Sequence, residues 1–308
     1  MSLTNFGIYK ELFNTEITDL ISNYDTKTKE MLFYALDGGK RLRPIICLDI
    51  CNSLTHDYRI AVKFALAIEC IHTASLLIDD LPCMDNDNYR RNKLAFHIKY
   101  SVTDAQLIAS QLINTSLQLI YENCRHKPNK LIYIFNNICK NVGILGATGG
   151  QFMDITPNIY KNKKQLLANF KNKENMKILF KKKTSSIFEM AFIGGYILGD
   201  GDFKNIDKIK QAAEYFGIAF QIYDDFNDID QDLNRVFDNL IDINFINNHG
   251  IDESNKEFLT SLNIFKTKMH ELGLFSKTSN ELYNYLKYKV ESKIKNLYSN
   301  HNEQQLSC

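Results

Sequence analysis

The 308-residue chain is 44% hydrophobic and 24% charged, with 37 Lys and Arg against 36 Asp and Glu. That composition suits a soluble globular protein with a sizeable core, and the net charge of +1 argues against a nucleic-acid binder working through bulk charge. The seven cysteines, Cys47, Cys51, Cys70, Cys83, Cys124, Cys139 and Cys308, are irregularly spaced with no CxxC pair, so a reducing compartment is expected rather than a disulfide framework or zinc ribbon.

Apolar residues recur at three- and four-residue spacing, as in Leu107, Ile108, Leu112, Ile113 and Leu117, and strict alternation is hard to find, so the predicted class is all-α. In chain order the helices are predicted at 7–23, 27–37, 42–54, 58–80, 103–124, 129–146, 163–169, 173–198, 205–227, 238–247, 253–271 and 278–298. No repeat or linker divides them, so residues 1–308 read as one bundle-like domain, with a short disordered tail near 300–308. The first 24 residues carry Asn5, Lys10, Glu11, Asn14, Glu16 and Asp19 and no apolar signal core or Arg-rich transit pattern, so a cytoplasmic location is expected. The most apolar stretch, 60–78, contains Lys63, Glu69 and His72; a membrane span would have to bury them, so a buried helix is predicted instead.

That helix ends in Asp79 and Asp80, an unfavourable place for anions because the helix dipole is negative there. A metal ion is the economical compensation. The cluster continues as Leu81-Pro82-Cys83-Met84-Asp85, and Pro82 is expected to stop the helix and bring Asp85 back toward Asp79. A second cluster reads Gln221-Ile222-Tyr223-Asp224-Asp225-Phe226-Asn227-Asp228. Asp224 and Asp228 share one helix face there, as do Gln221 and Asp225. One acidic pair is usually a solvated face; two such clusters in strongly apolar helices are harder to explain that way. Hard oxygen ligands of this kind suit Mg²⁺.

The basic pieces are Gly38-Gly39-Lys40-Arg41-Leu42-Arg43-Pro44, Arg90-Arg91 and Lys181-Lys182-Lys183-Thr184, with His72 two turns before Asp79. Arg grips a phosphate through a planar fork and Lys through a compact charge. Singly, a lysine run is usually a solvated face and a lone His a satisfied core residue.

Together these landmarks, with His97, Gly150-Gln151-Phe152-Met153-Asp154 and the closing second cluster, strongly resemble the trans-isoprenyl diphosphate synthases in kind and order over residues 38–228. The four residues between Asp80 and Asp85 resemble the bacterial and plant geranylgeranyl-type branch. The resemblance implies an isoprenoid synthase fold, a likeness to homodimeric enzymes, and several Mg²⁺ ions bound by Asp79, Asp80, Asp85, Asp224, Asp225 and Asp228. It implies that Arg90, Lys183, Thr184 and Gln221 hold an allylic diphosphate, with Lys183 also catalytic. Lys40, Arg43, His72 and Arg91 then hold isopentenyl diphosphate. Ile71, Ala74 and Ser75, before the first motif, are the expected chain-length positions; small Ala74 and Ser75 suggest geranylgeranyl diphosphate (C20), with C15 and C25 as alternatives.

The sequence also departs from the family pattern. The Gly-Lys…Gly-Lys-Asp stretch usual after the second motif is replaced by Ile229-Asp230-Gln231-Asp232-Leu233-Asn234-Arg235. Ser185 stands where Gly often follows Lys-Thr, and Lys93–Phe96 lacks the usual Pro and Asn. A terpene cyclase shares the first motif but needs no isopentenyl diphosphate site, and its second motif differs. A regulatory subunit of a prenyltransferase tends to lose motif acids, and this chain keeps all six.

Overall fold

The computed structural model describes residues 5–159, 171–237 and 243–306, and it is all-α apart from one short hairpin. Contacts group the chain into two compact units, Met1–Cys139 with Met190–Phe203, and Lys140–Glu189 with Lys204–Cys308.

The first unit begins with α1 (Asn5–Ile21), α2 (Thr26–Leu36) and α3 (Leu42–Thr55), and a 3₁₀ turn (Tyr58–Ala61) then leads into α4 (Val62–Asp79). A hairpin of β1 (Tyr89–Arg90) and β2 (Lys93–Leu94) follows, then α5 (Phe96–Lys99), α6 (Val102–Cys124) and α7 (Pro128–Val142). Capping fixes several starts. The Asp25 carboxylate accepts from Thr28 N at 3.1 Å, and Ser101 Oγ accepts from Asp104 N at 3.0 Å, each satisfying a donor the helix leaves open.

Helix α4 is the core of this unit, with Phe64, Ala65, Ala67, Ile68 and Cys70 almost fully enclosed. By length and composition the Tyr58–Asp79 stretch is apolar enough to cross a membrane, yet 72% of its most apolar window is buried in protein. Its charges are matched within the unit: Lys63 meets Glu122 at 2.7 Å and Glu69 meets Arg41 at 2.5 Å.

The second unit holds α8 (Ala147–Ile159), α9 (Lys173–Phe180), a π-helical turn (Lys181–Ser185), the start of α10 (Ser186–Leu198), α11 (Ile206–Phe237), α12 (Phe245–His249), α13 (Ile251–Glu271) and α14 (Lys277–Leu306). An aromatic cluster seats α11: the Phe216 ring lies 4.9 Å from Phe188 and 5.0 Å from Phe265, centroid to centroid. Edge and tilted ring contacts of this kind add to what burial alone contributes.

Most predicted helices are present, with several corrections. The 129–146 helix stops at Val142, before Gly143, and an unpredicted helix, α8, follows it; Gly149 and Gly150 depress its propensity. The single helix predicted at 173–198 is interrupted by the π-helical turn, and the 205–227 helix runs on to Phe237. The last helix continues to Leu306, through the start of the expected tail. The hairpin was not predicted either. Its two turn residues, Arg91 and Asn92, both have positive φ, 55° and 60°, the I′ geometry that normally signals itself by Asn-Gly. The predicted 163–169 helix, and residues 238–242 of the 238–247 helix, lie outside the described residues.

Candidate functional site

In the first unit, α4 delivers the first acidic cluster as its pattern implied. Asp79 is the last helical residue, and beyond it the Asp85 N–H donates to the Asp79 carbonyl at 2.9 Å. Leu81 O accepts from Met84 N and Asn86 N in the same loop. Pro82, lacking an N–H, cannot extend the helix, and the backbone folds Asp85 back toward Asp79. Both are half-buried.

Asp80 differs. It is 2% exposed and accepts on Oδ1 from Arg90 Nε at 2.8 Å and from Arg90 Nη2. Arg90 Nη2 also reaches Asp87 Oδ2 at 3.0 Å. Burial pushes the Asp80 carboxyl up, against the pull of Arg90. Arg90, assigned to allylic diphosphate, is thus placed by β1 on an acid of the first motif.

The basic residues converge on His72. Arg43 Nη1 lies 3.2 Å from His72 Nε2, and burial, then the field of Arg43, Arg91, Arg90 and Arg41, holds the imidazole well below its ordinary pKa. It is therefore neutral at pH 7, with Nε2 as the acceptor for Arg43. Arg91 occupies the strained first turn position of the hairpin and donates to the Asp37 carbonyl at 3.0 Å. A left-handed backbone costs a branched or long side chain about 1–2 kcal/mol, which a functional position commonly carries. Lys40 is exposed beside this cluster.

Two residues the sequence did not single out hold the loop in place. Arg41, 4% exposed with φ 59°, donates to Glu69 Oε1 at 2.5 Å, Leu36 O at 2.5 Å and Asn14 Oδ1 at 3.1 Å. A Cβ on Gly39 would stand 2.8 Å from Arg41 Nη1 and 3.0 Å from Glu69 Oε1, so the glycine makes room for the pair. The signal was available: a lone Glu in an apolar helix needs a partner.

Of the chain-length positions, Ile71 and Ala74 are buried, 7% and 1% exposed. Ser75 is half-buried and donates from Oγ to His72 O at 2.8 Å.

In the second unit, α11 carries the other cluster. Asp224 is half-buried and Asp228, one turn on, is exposed. Asp225 is 7% exposed; its Oδ1 accepts from Gln221 Nε2 at 2.9 Å and its Oδ2 from Phe245 N at 2.8 Å. Asn244, the N-cap of α12, adds a bond from Nδ2 to Asp225 O at 2.8 Å. Thr184 Oγ1 meets Gln221 Oε1 at 2.5 Å, so Thr184, Gln221 and Asp225 form one chain of contacts. Lys183 pairs with Asp154 of the Gly-Gln-Phe-Met-Asp segment.

The unusual Ser185 is also accounted for. Its Oγ donates to Glu214 O at 2.9 Å, and it packs on Gly217, where a Cβ would come within 2.3 Å of Ser185 Oγ. Glycine at 217 gives Ser185 its space. The side chains of the divergent segment after the second motif, Asp230 to Arg235 included, lie outside the described residues.

Each acidic cluster therefore combines one buried carboxylate tied to protein donors with less buried carboxylates beside it. Among the described residues no three His, Cys, Asp or Glu side chains converge to enclose a metal ion by themselves. The carboxylate oxygens of both clusters are hard donors, the kind that Mg²⁺ takes.

Comparison with known proteins adds the following. A family model described as polyprenyl synthetase matches residues 25–243. A trans-prenyltransferase of African swine fever virus (isolate Pig/Kenya/KEN-50/1950) is 32% identical over 295 residues, covering 91% of this chain and 82% of the viral protein. Geranylgeranyl pyrophosphate synthase 4 of Arabidopsis thaliana is 34% identical over 200 residues, 65% of this chain, and the match spans 52% of the plant protein. Among solved structures, a geranyltranstransferase from Thermotoga maritima superposes with a TM-score of 0.75 at 27% identity, covering 93% of this chain and 99% of that one.

Proposed function

Because the chain belongs to the polyprenyl synthetase family of prenyltransferases, we propose that it condenses isopentenyl diphosphate with an allylic diphosphate in a Mg²⁺-dependent reaction, with geranylgeranyl diphosphate as main product. The reading is carried by how each acidic cluster is built. The loop after α4 turns Asp85 back toward Asp79 beside Asp80, which Arg90 binds, and α11 carries Asp224, Asp225 and Asp228 within little more than one turn, with Asp225 held by Gln221 and the Phe245 N–H. These six carboxylates would hold Mg²⁺.

Mg²⁺ held by these carboxylates would supply the positive charge that a departing diphosphate needs. As the family resemblance implies, Arg90, Lys183, Thr184 and Gln221 would hold that diphosphate, donating where charge accumulates. Lys40, Arg43, Arg91 and neutral His72 hold isopentenyl diphosphate, so that its double bond is kept close to the allylic carbon. A carbon–carbon bond forms, diphosphate leaves and a proton is lost, giving a chain five carbons longer. The free thiols at Cys47, Cys51, Cys70, Cys83, Cys124 and Cys139 support a reducing, cytoplasmic setting.

The test is product identification. Purified protein with Mg²⁺, isopentenyl diphosphate and the C5, C10 or C15 allylic diphosphate should give, after phosphatase treatment, mainly the C20 alcohol. Cyclic hydrocarbons would favour a cyclase, and no elongation a regulatory subunit.

Small Ser75 supports the C20 assignment. Ser75→Phe is expected to shift the C15-to-C20 product ratio by at least about tenfold, in the range set by apolar pocket contacts. An unchanged product profile would remove Ser75 from the chain-length wall.

A homodimer is also proposed. Helix α6 exposes Leu107, Ile113, Leu117 and Tyr121, and α7 exposes Ile132 and Phe135, large apolar side chains of the kind a second copy would cover. Light scattering at micromolar concentration should give twice the chain mass, reduced to the monomer value by Leu117→Glu with Tyr121→Glu. A monomeric wild type would contradict this.

A further inference from the structure

Thr73 and His97 are enclosed polar side chains that the chemistry above does not use. Thr73, on α4, is 2% exposed and its Oγ1 has no hydrogen-bond partner among the described residues. A helical threonine commonly bonds back to the carbonyl four residues earlier; this one does not. His97, on α5, is 7% exposed, and neither ring nitrogen has a partner among the described residues. Orphaned groups of this kind are uncommon in native structures and generally mean ordered water or an ion.

Thr73 lines a cavity of about 30 Å³ together with Asp80, Arg90, Lys93 and Phe96. A water needs roughly 10–15 Å³ of such space and two or more polar partners, so one or two waters fit, whereas a diphosphate or a prenyl chain does not. Of the cations on the lining, Arg90 bonds to Asp80 and Asp87, Lys93 to the Tyr34 carbonyl at 2.7 Å and Arg91 to the Asp37 carbonyl at 3.0 Å.

We propose that this cavity holds one or two ordered waters linking Thr73 Oγ1 to the buried Asp80 carboxylate, which makes Thr73 a positioning residue for the first acidic motif. Arg90 grips one oxygen of Asp80 from the hairpin side, and the waters supply hydrogen bonds that Arg90 does not. The functional consequence rests on the reading of that motif as a metal site; the waters themselves do not.

A high-resolution crystal structure of the full chain should show a water peak within hydrogen-bond distance of Thr73 Oγ1 and of the Asp80 carboxylate. Thr73→Val, which keeps the shape and removes the hydroxyl, should lose a peak, keep its melting temperature and weaken Mg²⁺ binding in calorimetry by about tenfold, as loss of an outer-shell partner does. Thr73→Ser should retain both the water and wild-type affinity. A dry wild-type cavity, or a Thr73→Val protein that binds Mg²⁺ as tightly as wild type, overturns the proposal. Waters in a protein that binds no Mg²⁺ would instead overturn the catalytic reading and leave the water site standing.

Discussion

Asp79→Asn is expected to lower kcat/KM for chain elongation by roughly 10²–10³-fold or more, the scale of losing one charged group that stabilises a departing anion, while leaving the fold intact. The contact that folds the loop back uses the Asp79 backbone carbonyl, not its carboxylate, so the amide keeps that bond. Asp80→Asn should behave differently. It weakens a buried ion pair with Arg90 and disturbs the hairpin, so stability falls along with activity. Steady-state kinetics with thermal melts on the two variants separates the roles. An Asp79→Asn enzyme within tenfold of wild type would remove Asp79 from the chemistry.

The largest stability effect is expected at Glu69→Ala. Arg41 would then keep its charge at 4% exposure with no counterion, and breaking one side of a buried pair typically costs about 3–5 kcal/mol. For a chain of this size that corresponds to a fall in melting temperature of at least about 5 °C. The pair is also the clamp on the loop that bears Lys40 and leads into α3 at Arg43, so isopentenyl diphosphate KM should rise more than that for the allylic substrate. Replacing both partners, Arg41→Met with Glu69→Leu, should recover much of the stability without recovering the KM. A Glu69→Ala protein that melts with wild type would show that the pair contributes nothing.

The parts of the fold legible in the sequence are those where periodicity and chemistry agree. Helix α4 declared itself by an apolar run closed by Asp79, and Pro82 announced the loop that returns Asp85. The i,i+4 spacing of Gln221 and Asp225 correctly implied their contact. What escaped was fixed by tertiary partners. Helix α8 forms despite its glycines, at a cost its local sequence makes visible without showing the compensation. Arg91 and Asn92 adopt a turn that their residue types do not advertise. Phe245 N caps Asp225 from twenty residues away, a pairing no local pattern encodes. Within the candidate site, the identities of the six acids were readable; that Asp80 and Asp225 would be bound by protein donors was not, because it depends on Arg90 and on the start of α12.

The most direct test of the central claim is calorimetric titration with a non-ionisable allylic diphosphate analogue, with and without Mg²⁺, for wild type, Asp79→Asn and Asp224→Asn. The expected result is tight uptake that requires Mg²⁺ and is strongly weakened in both variants. Equal binding in excess chelator, or variants indistinguishable from wild type, would contradict the assignment of these carboxylates to metal-held diphosphate.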